Sequence, residues 1–300
     1  MGHDAGHFAV SRTPFLNEWG VWSMSMICNP ILWQHQHTYG HHSFTNDFDH
    51  DPDLHHFEVL LRVHKKFPHG SIYQRQSNFA YVMFAYFFVV FGTAIWIPWG
   101  MIQSGTLYGI VEWQDKERPT KALGMRLHLI LYVVLIMMVP FWTHSSFWTA
   151  ALAVYVHIAT LGLVFALFSQ INHLNEASIE RGDENASEYT NDPRVAGSWA
   201  ADQVETSNNF CSQSLLWHVL SNGLNHQIEH HLFPGLNHCH LHLIAPVVQQ
   251  TCEEFGVNYK SYETWSELLG ATLEWLEKLS VDDEKVQAPE ARSSKETNTM

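Results

Sequence analysis

Apolar and polar positions divide this chain very unevenly. Residues 78–100, 127–142 and 147–168 form three apolar stretches that contain no Asp, Glu, Lys or Arg. Apolar runs near this length match the hydrocarbon core of a bilayer, and three of them within about 90 residues exceed what most soluble cores supply. The pattern predicts an all-α, integral membrane helical protein.

Basic residues suggest how the stretches are arranged. Arg62, Lys65, Lys66 and Arg75 precede the first, and Lys116, Arg118, Lys121 and Arg126 follow it. Such clusters favour the cytoplasmic side, so the first stretch is expected to enter and leave on one side. Its Gly92, Pro98 and Gly100 suit a bent or re-entrant path. The other two stretches then form a hairpin through Thr143, His144, Ser145 and Ser146, a link with no Lys or Arg. Arg181 and Arg194 follow the return, and a glycan on the Asn185 sequon would overturn this arrangement. Asn185 is expected to be unmodified.

Two weaker patterns flank this region. Residues 14–33 mix Trp19, Trp22 and Ile27 with Asn17, Glu18 and Asn29, which predicts one interfacial helix. Residues 262–279 repeat Trp265, Leu268, Leu269, Trp275 and Leu276 at helical spacing, which predicts an amphipathic packing helix. Residues 280–300 read as a disordered tail.

Composition adds one anomaly: 22 His exceed 16 Lys plus Arg. A formal charge of −14 argues against nucleic acid as a partner. Cys28, Cys211, Cys239 and Cys252 form no C-x-x-C pair, which excludes a disulfide framework or a structural zinc site from the reading. Met1 is followed directly by polar residues, without a signal-peptide pattern.

The histidines are clustered. His3 and His7 are four residues apart, so a helix places both imidazoles on one face. His37 and His41 repeat that spacing, and His42 is expected on an adjacent face. Gln227, His230 and His231 make a third cluster, and His173 follows the last apolar stretch. Imidazole suits iron, copper, zinc and nickel. Eight such ligands, with Gln227 as a weak or water-mediated one, exceed the needs of one metal and suit two with open positions for dioxygen. Asp4, Asp51, Asp53 and Glu229 lie close enough in sequence to fix imidazole tautomers. His157, inside the third stretch, is read as a neutral side chain bonded to a neighbouring helix. The remaining histidines, among them His50, His55, His56, His64, His69, His226, His238, His240 and His242, read as surface or structural groups.

These boxes, above all Gln227-x-x-His230-His231 with Leu232-Phe233-Pro234 after it and Gln203-Val204-Glu205-Thr206 before it, resemble the membrane front-end fatty-acid desaturases. The resemblance covers nearly the whole chain and implies a catalytic domain over residues 1–261 with a cytosol-facing di-iron site. It makes His3, His7, His37, His41, His42, His173, His230 and His231 iron ligands, with Gln227 beside them. His35 departs from the pattern and reads as a surface residue or a substitute for His37.

The same resemblance implies two Fe ions, O2 as co-substrate, electrons from cytochrome b5 and its reductase, an acyl-lipid or acyl-CoA substrate, and the endoplasmic reticulum membrane. The reaction places a cis double bond between an existing one and the carboxyl end. The family's His-Pro-Gly-Gly haem motif and the spans that precede its first box are missing here, so a truncated chain is expected. A fatty-acid hydroxylase and a sphingoid-base Δ8 desaturase share the ligand pattern and stay open. A histidine-rich metal transporter is disfavoured, because its ligands would lie inside the apolar stretches.

Overall fold

The computed structural model describes residues 1–183, 194–195 and 197–281. The Asn185 sequon and the tail beyond residue 281 lie outside them. Among the described residues the structure is helical, with two short strand pairs. Thr106–Leu107 runs antiparallel to Val111–Glu112, and Asn209–Phe210 runs parallel to Ser261–Tyr262.

Three helices are long and apolar enough to cross a membrane: Phe79–Ser104, Pro119–Thr143 and Phe147–Asn172. The first contains no reversal. Gly92–Trp96 forms a widened π-helical turn, and Pro98 falls in the first turn of the segment Ile97–Ser104, where a missing N–H is tolerated. The helix ends at Gly105, whose φ of 73° is a left-handed conformation that glycine adopts without steric cost. The helical path is interrupted at Phe88 and widened at Gly92–Trp96, so the bent path fits it and the re-entrant one does not.

Both halves of this helix nevertheless pack against the histidine-bearing segments. Val82, Ala85, Tyr86 and Val89 join Leu54, Phe57 and Leu61 in one cluster, while Ile97 and Met101 join Ile31 and Leu32 in another. Midway, the Asn29 N–H donates to the Thr93 carbonyl at 3.0 Å. This crosswise helix thus runs along the histidine-bearing segments through both of its halves.

The other two helices form the expected hairpin. Leu131, Leu135, Leu152, Tyr155 and Val156 are exposed along it, and Trp142, Phe147 and Trp148 are exposed at its tip, where aromatic rings suit a membrane interface. The helix Phe147–Ser169 approaches the crosswise helix at Gly162, where an added Cβ would meet the Tyr86 and Phe87 carbonyl oxygens at 2.5 and 2.8 Å. His157 bonds the Tyr132 hydroxyl at 3.2 Å, as the structural reading of that histidine expects.

Residues 14–33 are not one helix. They break into Pro14–Gly20, the 3₁₀ turn Val21–Met24 and Pro30–Trp33. The residue before a proline avoids the helical region, and Asn29 instead caps the next helix, accepting from the N–H groups of Ile31 and Leu32. Phe15, Leu16, Trp19 and Met26 are exposed here, as an interfacial segment requires. The amphipathic helix is Trp265–Lys278, opened by a reciprocal Thr264–Glu267 cap and buried along Leu268, Thr272, Trp275 and Leu276.

Candidate metal centre

The second histidine box lies on a helix that changes pitch. Pro30–Trp33 is α-helical, and the chain then widens into a π-helix over Gln34–His41, ending with the His42 N–H donating to the His37 carbonyl at 3.2 Å. In an α-helix successive side chains diverge by a wide angle, whereas the wider turn lets both neighbours face His37. Its ring centroid lies 5.1 Å from that of His41 and 4.8 Å from that of His42. His37 and His41 stack at 19°, whereas the His42 ring stands at 84° to that of His41 and faces His7 and His231. Gly40 permits the turn to approach Pro52, which an added Cβ would meet at 2.6 Å, and so brings Asp51 and Asp53 beneath the imidazoles.

Two ligand groups result. The ligand atoms of His3, His7, His37 and His230 lie within 4.8 Å of one another, and so do those of His41, His173 and His231. His42 stands between the groups, its ring 4.4 Å from His7 and 4.1 Å from His231. Gln227 touches His173, donating its amide N–H to Nε2 at 2.9 Å. All nine residues singled out in the sequence therefore meet in one place. They come from the helix Gly2–Gly6 and its end, the π-turn, the end of the third apolar helix, and the helix Gln227–Leu232.

The hydrogen bonds behind the rings fix their tautomers. His41 Nδ1–H donates to Asp51 at 2.9 Å and His37 Nδ1–H to Asp53 at 3.1 Å. His173 Nδ1–H donates to the Thr206 carbonyl at 3.0 Å and His231 Nδ1–H to the Gln203 side-chain oxygen at 2.8 Å. Each puts its Nε2 lone pair on the side of the centre, where that of His173 accepts from Gln227, and a backing hydrogen bond at Nδ1 is the arrangement typical of metal-bound imidazole.

Ring nitrogens of His3, His7, His42, His230 and His231 are buried without a hydrogen-bond partner. Buried polar atoms are rarely left so, and converging imidazole donors of this kind fit two transition-metal ions.

Electrostatics agree with that fit. Burial, reinforced by neighbouring imidazoles, pushes His7, His42, His173, His230 and His231 well below the ordinary histidine range, which keeps them neutral as ligands must be. Burial lowers His37 to about 4 despite Asp53. His41 moves the other way: burial opposes its charge, but Asp51 and Asp53 prevail and raise it to about 9. The protein therefore favours a positive charge at His41, which a bound metal would supply.

Of the acids proposed as outer partners, Asp51 and Asp53 fill that place. Asp4 lies beside His3, its Oδ1 3.9 Å from Nδ1, and also accepts from His238 Nδ1 at 2.5 Å, while Glu229 accepts from Asn209 at 2.8 Å and Tyr259 at 2.7 Å. Sequence reasoning missed the roles of Gln203, Thr45 and Thr206 in holding His231 and His173. Gln203 was visible only as text in the family resemblance, because nothing in its spacing ties it to His231. His35 is buried, not at the surface, yet it takes no part in the centre: Nδ1 bonds the Ile31 carbonyl at 2.9 Å and Nε2 faces Arg118. His64 and His226 are also buried.

A cavity of about 390 Å³ adjoins the centre. His3, His37, His41, His173 and Gln227 line it, together with Leu161, Val164, Phe165 and Phe168 of the third apolar helix.

Comparison with known proteins gives the same picture. The sequence profile described as fatty acid desaturase matches residues 1–263. The chain belongs to the fatty acid desaturase family. Among its relatives is an sn-1 linoleoyl-lipid 6-desaturase of Synechocystis, 29% identical over 92% of this chain and 75% of the relative. An acyl-lipid (8-3)-desaturase of Physcomitrium patens is 33% identical over 94% of this chain and 57% of the relative. A Delta(5) fatty acid desaturase A of Dictyostelium discoideum is 27% identical over 96% of this chain and 61% of the relative. No solved structure matches. Membership in this desaturase family brings an oxidoreductase activity, a lipid substrate and a membrane setting, in agreement with the apolar helices and the histidine groups.

Proposed function

We propose that this chain carries the catalytic centre of an oxygen-dependent front-end desaturase, which introduces a cis double bond into a polyunsaturated fatty acyl chain. The observation that carries the reading is the junction of the two histidine groups with an apolar cavity walled by a membrane helix. The names of the relatives, which place double bonds in acyl lipids, support it.

One iron would be held by His3, His7, His37 and His230, and the other by His41, His173 and His231, with His42 between them and Gln227 beside His173. Two irons there would supply the activation of dioxygen and the removal of hydrogen from an unactivated methylene. The protein's own part is positional. Asp51, Asp53, Gln203 and the Thr206 carbonyl hold the imidazoles, while Leu161, Val164, Phe165 and Phe168 offer a dry wall for a methylene run. Electrons come from cytochrome b5, and the centre faces the cytosol from the endoplasmic reticulum membrane. The basic clusters flanking the crosswise helix support that orientation.

The test is fatty-acid methyl-ester profiling of yeast fed defined polyunsaturated acids, expressing this chain alone and joined to the amino-terminal segment of the Synechocystis relative. A new double bond on the carboxyl side of an existing one is expected. A product heavier by one oxygen from either form would replace the desaturase reading with a hydroxylase.

A further inference from the structure

A second cavity, of about 360 Å³, lies at the end of the helix Pro52–His55, with His55 and His56 in its lining. Its walls are apolar and include Phe84, Phe88, Phe91 and Trp96 of the crosswise helix, but His56 and Tyr108 also line it. His56 Nε2 and the Tyr108 hydroxyl are buried and have no hydrogen-bond partner. The Val89 carbonyl lies near enough to His56 to favour its charged form, yet forms no aligned bond with Nε2. Two unpartnered polar atoms in one apolar cavity call for a ligand group.

The local network shows which group. The Gln36 side-chain amide bonds Asp53 and also His56 Nδ1, the latter at 3.2 Å. A carboxylate can only accept, so the Gln36 nitrogen must face it, and the same nitrogen donates to His56 Nδ1. The proton of neutral His56 is then on Nε2, and burial lowers this histidine to about 4, which keeps it neutral. Burial also raises Tyr108, which stays a hydroxyl. Both atoms can therefore donate a hydrogen bond, and the ligand group that suits this cavity is an acceptor oxygen carried by an apolar chain.

Tyr108 is held there under strain. Its φ is 55°, an uncommon conformation for a bulky residue, in the tight connection between Thr106–Leu107 and Val111–Glu112. Such strain is characteristic of ligand clamps.

We infer that His56 and Tyr108 form a clamp for the carbonyl oxygen of the acyl substrate. The inference rests on the desaturase reading and deepens it. The clamp is tied to the metal centre through Gln36, Asp53 and His37, so it fixes the carbonyl relative to the irons. A carbonyl anchor is what a reaction counted from the carboxyl end requires. His56 and Tyr108 are thus residues that determine where the double bond falls.

The test uses the full chain, loaded with iron, in detergent. Quenching of Trp96 fluorescence is titrated with methyl 9,10-dibromostearate and with 9,10-dibromo-octadecane, which lacks the carbonyl. A parallel arm uses the coenzyme A thioester. The wild type should bind either carbonyl-bearing probe more tightly than the hydrocarbon. Tyr108→Phe and His56→Leu should each reduce that preference about fivefold, the worth of one neutral hydrogen bond, with hydrocarbon affinity and iron content unchanged. Trp96→Phe should remove the signal.

Carbonyl preference that survives both substitutions, or quenching that survives Trp96→Phe, overturns the clamp. Binding is read without turnover, so a clamp that behaves as expected in a chain that makes no double bond refutes the desaturase reading alone. Turnover with unchanged regiochemistry in Tyr108→Phe refutes the clamp alone.

Discussion

Asp51→Asn is the sharpest perturbation of the centre. The Asp51 carboxylate is fully buried and accepts three hydrogen bonds: from His41 Nδ1 at 2.9 Å, from the Asn46 N–H at 2.8 Å and from the Asp53 N–H at 2.8 Å. Asparagine has the same shape but one accepting oxygen. With the amide nitrogen at Oδ2, the bonds from both His41 and Asn46 are lost. With it at Oδ1, the amide opposes the Asp53 N–H, and His41 loses the charge assistance of its bond. A charge-assisted hydrogen bond is worth about 1.5–3 kcal/mol, and loss of such an outer partner typically lowers metal affinity about 10- to 100-fold. The expected result is selective weakening of the ion bound by His41, His173 and His231. Iron per chain, measured by mass spectrometry across a chelator series, should fall in two steps, the first shifted by at least tenfold. Asp47→Asn serves as the control, since that residue pairs with His50 at the surface. An Asp51→Asn protein that keeps all its iron at the wild-type chelator midpoint would refute the reasoning.

Other substitutions probe separate features. Gln203→Leu removes the acceptor from His231 Nδ1 and should lower iron affinity about tenfold, while His35→Gln should leave iron content unchanged; equal retention in both would remove Gln203 from the site. Gly162→Ala places a Cβ against the Tyr86 and Phe87 carbonyls and should destabilise the helix contact by about 1–3 kcal/mol, read as a lower melting temperature in detergent; an unchanged value would show that the backbones separate freely. Thr264→Ala removes the cap of Trp265–Lys278 and should cost about 1 kcal/mol, with iron content intact; equal iron loss would make that helix part of the centre.

Much of the centre was legible in the sequence because metal ligation imposes spacing. His3 with His7, and His230 with His231, lie on short helices whose geometry the spacing already dictates. His173 could be placed because the helix before it is apolar and ends there. The pitch of the second box was not legible, because helical spacing assumes α-geometry and nothing in Gln34–His41 announces a π-helix. Gln203 and Thr206 escaped because they reach their histidines through tertiary contact across 28 and 33 positions. The break in residues 14–33 was readable in principle, since Asn29 precedes Pro30 and makes a good cap.

The crosswise helix Phe79–Ser104 bears on how a substrate arrives. It packs on both clusters beside the histidine-bearing segments, while Phe79, Phe84, Phe88, Trp96 and Trp99 stay exposed along it. In a lipid setting those rings offer a hydrocarbon-facing surface of the kind on which an acyl chain settles. A substrate that meets the protein there travels over aromatic rings, and its approach to the centre needs no passage through water.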